Sequence, residues 1–444
     1  MVESILGDTH MKIKEVHISN FKSFKKSSFY LKDFNMILGA NGSGKSNFFQ
    51  IIKFLRDIVD HGLENAIALQ GGKEYLMNTT IGDSKSTKIV LNLVPYGGEI
   101  IKENKNQSIV CDIQTLTYSI DLSFKGEEVT VKESLNQSFN IEIAKRKKTK
   151  METIEKIGEG STKVTLINGV DYHQDLDLPE DLLEEYEIND DRFKLTEYFY
   201  SLKKGTKRSK DFNAMLLKNP TVFFGATHNL RDTIANSSVY YIDTNAAKKA
   251  VQVIGKTSLE EDGSNLPLIL HNITKDKKRS ERLTDKIGQL IPFISGVNVE
   301  KQPDNSVFFQ AEETYQNETT SRFPASLLSD GTINITALIV ALFFEEDKDI
   351  LFFEEPERNI HPQLLSGILN LMKEVSQKKQ IILTSHNPYI VKDVDPDNVI
   401  FIKRGADGFS KTIAPSKNEI FKTFISNDLN LEDIFVNDMI FEEN

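Results

Sequence analysis

A single cysteine, Cys111, is present among 444 residues. An intrachain disulfide and a cysteine-built zinc site are therefore excluded, and Cys111 reads as a small buried apolar residue. No apolar run approaches the roughly 20 residues of a membrane-crossing helix. The longest, Ile333 to Phe344, is shorter and carries Asn334 and Thr336. The opening MVESILGDTH lacks the basic start and apolar core of a signal peptide. It reads as a short leader before a compact start at Met11, and the expectation is a cytoplasmic protein with no membrane partner. Heptads are not sustained over three or four turns, so no long coiled-coil arm is encoded, and no internal repeat is visible.

Positive charge is also in deficit: the formal net charge is −11. Taken whole, such a surface repels nucleic acid. The charge is nevertheless segregated. Basic clusters lie at Lys145-Arg146-Lys147-Lys148, from Lys203 to Lys210 and from Lys275 to Arg282, against an acidic stretch from Asp175 to Asp191. If the clusters share a face, DNA is a candidate partner; otherwise they are solvated loops and helix faces.

What is present suggests an α/β chain. Ile13, Val16, Ile18 and Phe21 roughly alternate with polar residues, as in strands over 11–38. Phe34 to Leu38 is a short apolar run, as a buried strand would be. After Ser46, Phe48, Ile51, Ile52, Leu55 and Ile58 recur at helical spacing. Residues 60–75 look irregular. Alternation from 87 to about 143 predicts an antiparallel sheet. Residues 144–215 are charge-rich and read as irregular, with helices near Pro179 to Tyr186 and Phe193 to Leu202. Order resumes at Pro220 to Phe224. A helical stretch from about Ser264 to Ile294 precedes strands near Val297 to Glu300 and Val307 to Gln310. The last third alternates: helix 332–344, strand 349–353, helix 362–376, strand 379–384, helix 388–392, strand 398–403. The tail from Ser426 is acidic.

Between the strand ending at Leu38 and the following helix stands Gly39-Ala40-Asn41-Gly42-Ser43-Gly44-Lys45-Ser46, which fits G-x-x-x-x-G-K-[ST]. Its glycines let successive N–H groups turn toward phosphate oxygens, and the helix adds its positive N-terminal end. Lys45 would neutralise the β- and γ-phosphates of ATP, and the Ser46 hydroxyl would ligate Mg²⁺. Asn41, Gly42, Ser43, Gly44 and the following Asn47 complete the expected nucleotide contacts. Downstream, four apolar residues from Ile350 end in Glu354-Glu355. A buried strand would carry this acidic tip to the phosphates, with Glu354 organising the metal and Glu355 polarising the attacking water.

Four further segments resemble one superfamily. Leu328-Ser329-Asp330-Gly331-Thr332 resembles the ABC signature in its LSDGT form. Glu355-Pro356-Glu357-Arg358-Asn359-Ile360-His361-Pro362 resembles a Walker B glutamate running into a D-loop. Leu383-Thr384-Ser385-His386-Asn387-Pro388 looks like a switch histidine at a strand end. Asn20-Phe21-Lys22-Ser23-Phe24 is similar to the N-terminal element that meets the nucleotide, which makes Lys22 a further contact. The chain thus resembles RecF/SMC-like ABC-type ATPases, relatives of the ATPase half of OLD-family nucleases and of anti-phage defence ATPases.

That resemblance implies an ATP hydrolase that closes as a head-to-tail homodimer. Ser329 and Gly331 of one copy would cap the γ-phosphate held by Lys45 of the other, and His386 would sense that phosphate. Gln70 is the candidate glutamine-loop ligand for the metal, Gln174 and Gln310 being less well placed. His361 reads as structural. The most frequent first acid in P-loop ATPases is Asp, so Glu354 departs from the pattern by one methylene.

The implied organisation is an ATPase head in two parts, 1–97 and 216–425. Between them, 98–215 forms an inserted β-rich and charged interaction lobe, and 426–444 is an acidic tail. Residues 387–444 leave no room for the nuclease domain of OLD proteins, so a cutting or toxic output would belong to a separate effector. This points to the ATPase subunit of an anti-phage or DNA-maintenance system. A stand-alone repair or recombination ATPase is the alternative. A transporter subunit is disfavoured by the motif spacing, and a P-loop kinase has no use for the signature.

Overall fold

The computed structural model describes residues 11–94, 98–103, 107–147, 150–188, 215–218, 226–314, 320–415 and 432. The expected helix at Phe193 to Leu202, the ordered stretch at Pro220 to Phe224, the basic cluster at Lys203 to Lys210 and the acidic tail lie outside these residues. The chain divides into two compact units. One comprises Met1–Lys32, Gly42–Ser237 and Ile402–Thr412; the other comprises Asp33–Asn41, Ser238–Phe401 and Ile413–Asn444. Among the described residues, no helix is long and apolar enough to cross a membrane.

The first unit is built on an antiparallel sheet. It contains β1 (Lys12–Phe21), β2 (Phe24–Tyr30), β4 (Thr87–Val94), β5 (Gly98–Glu103), β6 (Ser108–Lys125), β7 (Glu128–Lys147), β8 (Lys150–Ile167) and β9 (Asp171–Asp177). Their order is β2–β1–β4–β6–β7–β8–β9, with β5 beside β6. The helix Lys45–His61 buries the face that its spacing predicts, Phe48, Ile51, Ile52, Leu55 and Ile58. Phe48 meets Phe29 of β2 with ring centroids 4.0 Å apart, and Phe54 meets Phe21 of β1 at 6.2 Å.

Strand order continues well past residue 143, through β8 and β9. β9 shows no apolar alternation, because it runs only between exposed and intermediate burial. β8 starts on exposed residues and buries Thr162, Val164 and Leu166 only in its second half, so ladder hydrogen bonds to neighbouring strands define much of the ribbon. Residues 60–75 are likewise more regular than expected, with helices Leu63–Leu69 and Lys73–Leu76. Each is too short to display a 3.6-residue period.

A buried carboxylate ties the sheet to the segment 215–218. Glu133 of β7 accepts from Tyr118 Oη at 2.7 Å, from Leu216 N at 2.8 Å and from Leu217 N at 3.3 Å. Burial pushes its carboxyl up from 4.5 to about 7, with the three donated hydrogen bonds opposing.

The second unit is α/β. It holds β3 (Phe34–Leu38), β10 (Ser237–Tyr240), β15 (Ile350–Glu354), β16 (Gln380–Ser385) and β17 (Val399–Arg404). The sheet runs β10–β15–β16–β3–β17, and the pairs β15–β16, β16–β3 and β3–β17 are parallel. The three strands β3, β15 and β16 are buried along their length save for the half-buried Glu354 at the tip of β15, and apolar residues dominate them, as in strands covered on both faces. The helices Asp330–Phe343 and Pro362–Ser376 share their core. A second, antiparallel sheet orders β11 (Val251–Gln252), β13 (Ser306–Thr314) and β12 (Ile294–Lys301), with β14 (Thr320–Pro324) on β13. The long helical stretch expected from Ser264 is two helices, Leu266–Thr274 and Lys277–Gly288. Asp276 separates them by accepting from Arg279 N at 2.9 Å, a helix start inside an otherwise periodic run.

Candidate nucleotide site

In the second unit, parallel register fixes the site. Glu354 pairs with Thr384, and Ser385 pairs with Leu38, so β15, β16 and β3 end on the same edge. Carboxyl ends of parallel strands are where open α/β sheets bind ligands. Gly39 N donates to Ser385 O at 3.3 Å, which seats the start of the glycine-rich loop beside β16.

Glu355 is the first residue past β15. Its φ of 48° turns it out of the strand, and its N–H donates to Thr384 O at 3.1 Å. Glu355 Oε1 lies 2.8 Å from His386 Nδ1, and Arg358 Nη2 stands 3.7 Å from Glu355 Oε2. The acid is largely covered, at 18% side-chain exposure, while His386 is open at 48%. That pairing suits a base that must meet water and a histidine that must meet a ligand. Asn41, Glu354, Glu355, Arg358 and Tyr241 line one cleft of about 750 Å³.

Behind this pair stands Glu357, to which the sequence pattern assigns no role of its own. It is buried, accepts from Ser385 Oγ, and is pushed up in pKa chiefly by its burial. Ser385 Oγ in turn accepts from Asn387 N at 2.9 Å. Glu357 thus braces the turn that presents His386. The only sequence signal for it was an acid two residues after Glu355.

The rest of the glycine-rich loop belongs to the first unit. Gly42 has φ 76° and Gly44 φ 113°, conformations that only glycine adopts without strain. A Cβ on Gly44 would lie 2.8 Å from Ser23 Oγ and would overlap Ser410 Oγ. Ser410 opens β18 (Ser410–Ile413). Its Oγ stands 2.5 Å from Ser43 O and 2.8 Å from Ser23 Oγ, while Asn47 Nδ2 donates to Ser23 Oγ at 2.8 Å. Asn47 therefore supports the loop from behind. Ser410 was invisible in sequence because it is so far along the chain.

Ser43 Oγ is buried and has no hydrogen-bond partner. Lys45 is 6% exposed, and no acid occupies the first turn of its helix. An orphaned hydroxyl, a buried cation and a helix N-terminus free of negative charge fit a phosphate.

Lys22 is half-buried. Its φ is 47°, its Nζ donates to Tyr75 O at 3.3 Å, and burial lowers its pKa. Gln70 caps the helix Leu63–Leu69 rather than standing in an open loop. It is buried, and its Oε1 lacks a partner. Ser46 is exposed. No group of three or more His, Cys, Asp or Glu among the described residues is placed to hold a metal. A Mg²⁺ bound mainly by phosphate and water, with one hydroxyl and one carboxylate, requires none.

The signature segment opens the helix Asp330–Phe343. Ser329 is its N-cap, its Oγ accepting from Thr332 N at 3.1 Å. Asp330 is paired with Lys248 at 2.6 Å, and that hydrogen bond holds its carboxyl below the usual range. A Cβ on Gly331 would meet Asn359 O at 2.8 Å. His361 caps the helix Pro362–Ser376 through Gln363 N at 3.3 Å, a structural role. The structure thus brings Glu355 and His386 into contact, sets Asn41 and Glu354 in the same cleft, and seats Gly331 on the loop after Glu355.

A family model described as "AAA domain, putative AbiEii toxin, Type IV TA system" matches residues 34–160 and 171–392. Chromosome partition protein Smc from Methanococcus voltae is 29% identical over 153 residues, 32% of this chain and 12% of that protein. Structural maintenance of chromosomes protein 3 from Caenorhabditis elegans is 50% identical over 48 residues, 10% of this chain and 4% of that protein. The matched regions are thus a small fraction of either relative. Among solved structures, the SmcHead bound to the C-winged helix domain of ScpA is 14% identical at a TM-score of 0.44, covering 90% of this chain and 97% of that one. The SMC head domain from Thermotoga maritima is 15% identical at 0.40, covering 91% and 98%.

Proposed function

We propose a function from one premise: the chain belongs to this AAA-domain family, an SMC/RecF-like group of ABC-type ATPases. It binds and hydrolyses ATP, and ATP gates the association of two copies. The observation that carries the reading is the Glu355–His386 pair, 2.8 Å apart on the strand edge from which the glycine-rich loop departs.

Lys45 and the N–H groups of Gly42 to Ser46 hold the phosphates. Ser46, Glu354 and Gln70 are the residues that would hold Mg²⁺, and the ion would supply charge neutralisation on the phosphates. Glu355 accepts a proton from the attacking water. His386, oriented by Glu355, donates a hydrogen bond to the γ-phosphate. Ser329 and Gly331 of the second copy close over that phosphate, where the helix N-terminus favours an anion. ATP then stabilises the closed pair because only the closed form makes these contacts, and hydrolysis removes that difference.

The output passes to a separate effector, a nuclease or toxin, in a defence or DNA-maintenance system. The toxin named in the family description supports this placement. It also supports a second reading in which this chain is itself the toxic half of a toxin–antitoxin pair.

Two variants test the site. Lys45→Ala loses ATP binding. Glu355→Gln keeps binding, stops turnover and accumulates an ATP-dependent dimer measurable by light scattering. Undiminished turnover in Glu355→Gln refutes the assignment of the acid. A monomer in that variant at saturating ATP refutes the gate.

A further inference from the structure

The signature helix and the loop after Glu355 are joined by a side chain that no motif includes. Asn334, one turn into the helix Asp330–Phe343, is 3% exposed. Its Nδ2 donates to Pro356 O at 3.1 Å and to Arg358 O at 2.6 Å. Two carbonyl acceptors at one atom fix the amide's orientation, since its oxygen could not serve them. The loop is itself unusual. It begins at Glu355 with φ 48° and ends at Asn359 with φ 63°, both left-handed and neither a glycine. Its second contact with the same helix is Asn359 O, packed where a Cβ on Gly331 would lie. Asn334 and Gly331 therefore grip the loop at Pro356, Arg358 and Asn359, while Glu355 N–H anchors its other end to β16 at Thr384.

We propose that Asn334 is a positioning residue: it transmits the placement of the signature helix to Glu355 by holding the loop 356–359 through its two carbonyls. This rests on the reading of Glu355 as the acid that activates water. The physical reason is leverage. Glu355 lies past the end of β15, so where its side chain starts out toward His386 and Arg358 follows from the backbone turn between Thr384 and the Asn334 contacts. A shift of the signature helix would carry these carbonyls with it and so change where Glu355 meets His386, a pair that stands 2.8 Å apart in this chain. Misplacement of a catalytic group by about 1 Å costs on the order of 10²-fold in rate.

The test uses the full chain with Mg²⁺-ATP. Asn334→Leu keeps the volume and removes both donors, and Asn334→Asp keeps the shape and removes them differently. Thr336→Val is the control, because Thr336 is buried in the same helix and bonds only back to Thr332 O at 2.8 Å. The expected result is a fall in kcat of about tenfold or more in both Asn334 variants with KM for ATP unchanged. Backbone amide exchange of 356–361 rises alongside, and Thr336→Val matches the wild type. Wild-type kcat in a folded Asn334→Leu overturns the proposal while leaving the ATPase reading intact. A parallel loss of kcat in Thr336→Val, or failure of both Asn334 variants to fold, assigns Asn334 to packing and overturns it too. Absence of turnover in the wild-type chain removes the ATPase reading itself, and this inference with it.

Discussion

Neutralising Glu133 should reverse part of the pH dependence of stability in the first unit. Its carboxyl is fully buried and pushed from 4.5 to about 7. A group that holds its proton more tightly when folded stabilises the fold most below its unfolded value. That contribution drains away as pH rises from about 4.5 through about 7. At roughly 1.4 kcal/mol per unit, the change is on the order of 3 kcal/mol. The wild type should therefore lose this much between pH 4.5 and pH 8, and Glu133→Gln should not. Other groups titrate in that range, so the quantity to read is the difference between wild type and variant. Thermal unfolding at several pH values, paired with amide exchange at Leu216 and Leu217, measures it. The two melting curves should converge or cross as pH rises, and protection of 215–218 in the wild type should fall with them. Parallel curves separated by a constant amount would refute the reasoning, because the carboxyl would then be ionised throughout.

Other expectations concern the site. Gly44→Ala should lower ATP affinity at least as much as stability, since its Cβ meets Ser23 and Ser410 at φ 113°; isothermal titration checks it. His386→Ala should lower kcat by about 10²-fold with ATP binding retained, the scale of a lost charge-stabilising donor, and single-turnover kinetics separate the two. If the exposed Lys277, Lys278, Arg279 and Arg282 meet DNA, log affinity should fall with log salt at roughly −0.9 per phosphate neutralised. A flat titration would remove DNA as a partner.

The sequence was legible where one physical cause dominates. The buried strands β3, β15 and β16 announce themselves as short apolar runs and the helix from Lys45 by its spacing, because burial dictates both directly. The glycines of the loop and the acids after Phe353 are legible because φ and charge leave little freedom of residue type. Hidden were features made by pairing across long sequence separation. Ser410 beside Ser23 and Ser43, Glu357 under Ser385, and Asn334 on the loop carbonyls are single polar residues whose meaning lies wholly in what they touch. The ribbon β8–β9 was hidden for another reason: β9 has no buried face, and β8 buries one only in its second half, so little apolar alternation is on display.

The positive φ at Glu355 has an evolutionary consequence. A non-glycine residue held in the left-handed region costs on the order of 1 kcal/mol, and glycine would relieve it. Glu355→Gly should thus give a chain that folds at least as well and turns over nothing. Selection for robustness alone would drift toward that glycine. If Glu355 is the acid of the reaction, its backbone strain is a stability cost that the activity requires, concentrated in a single residue.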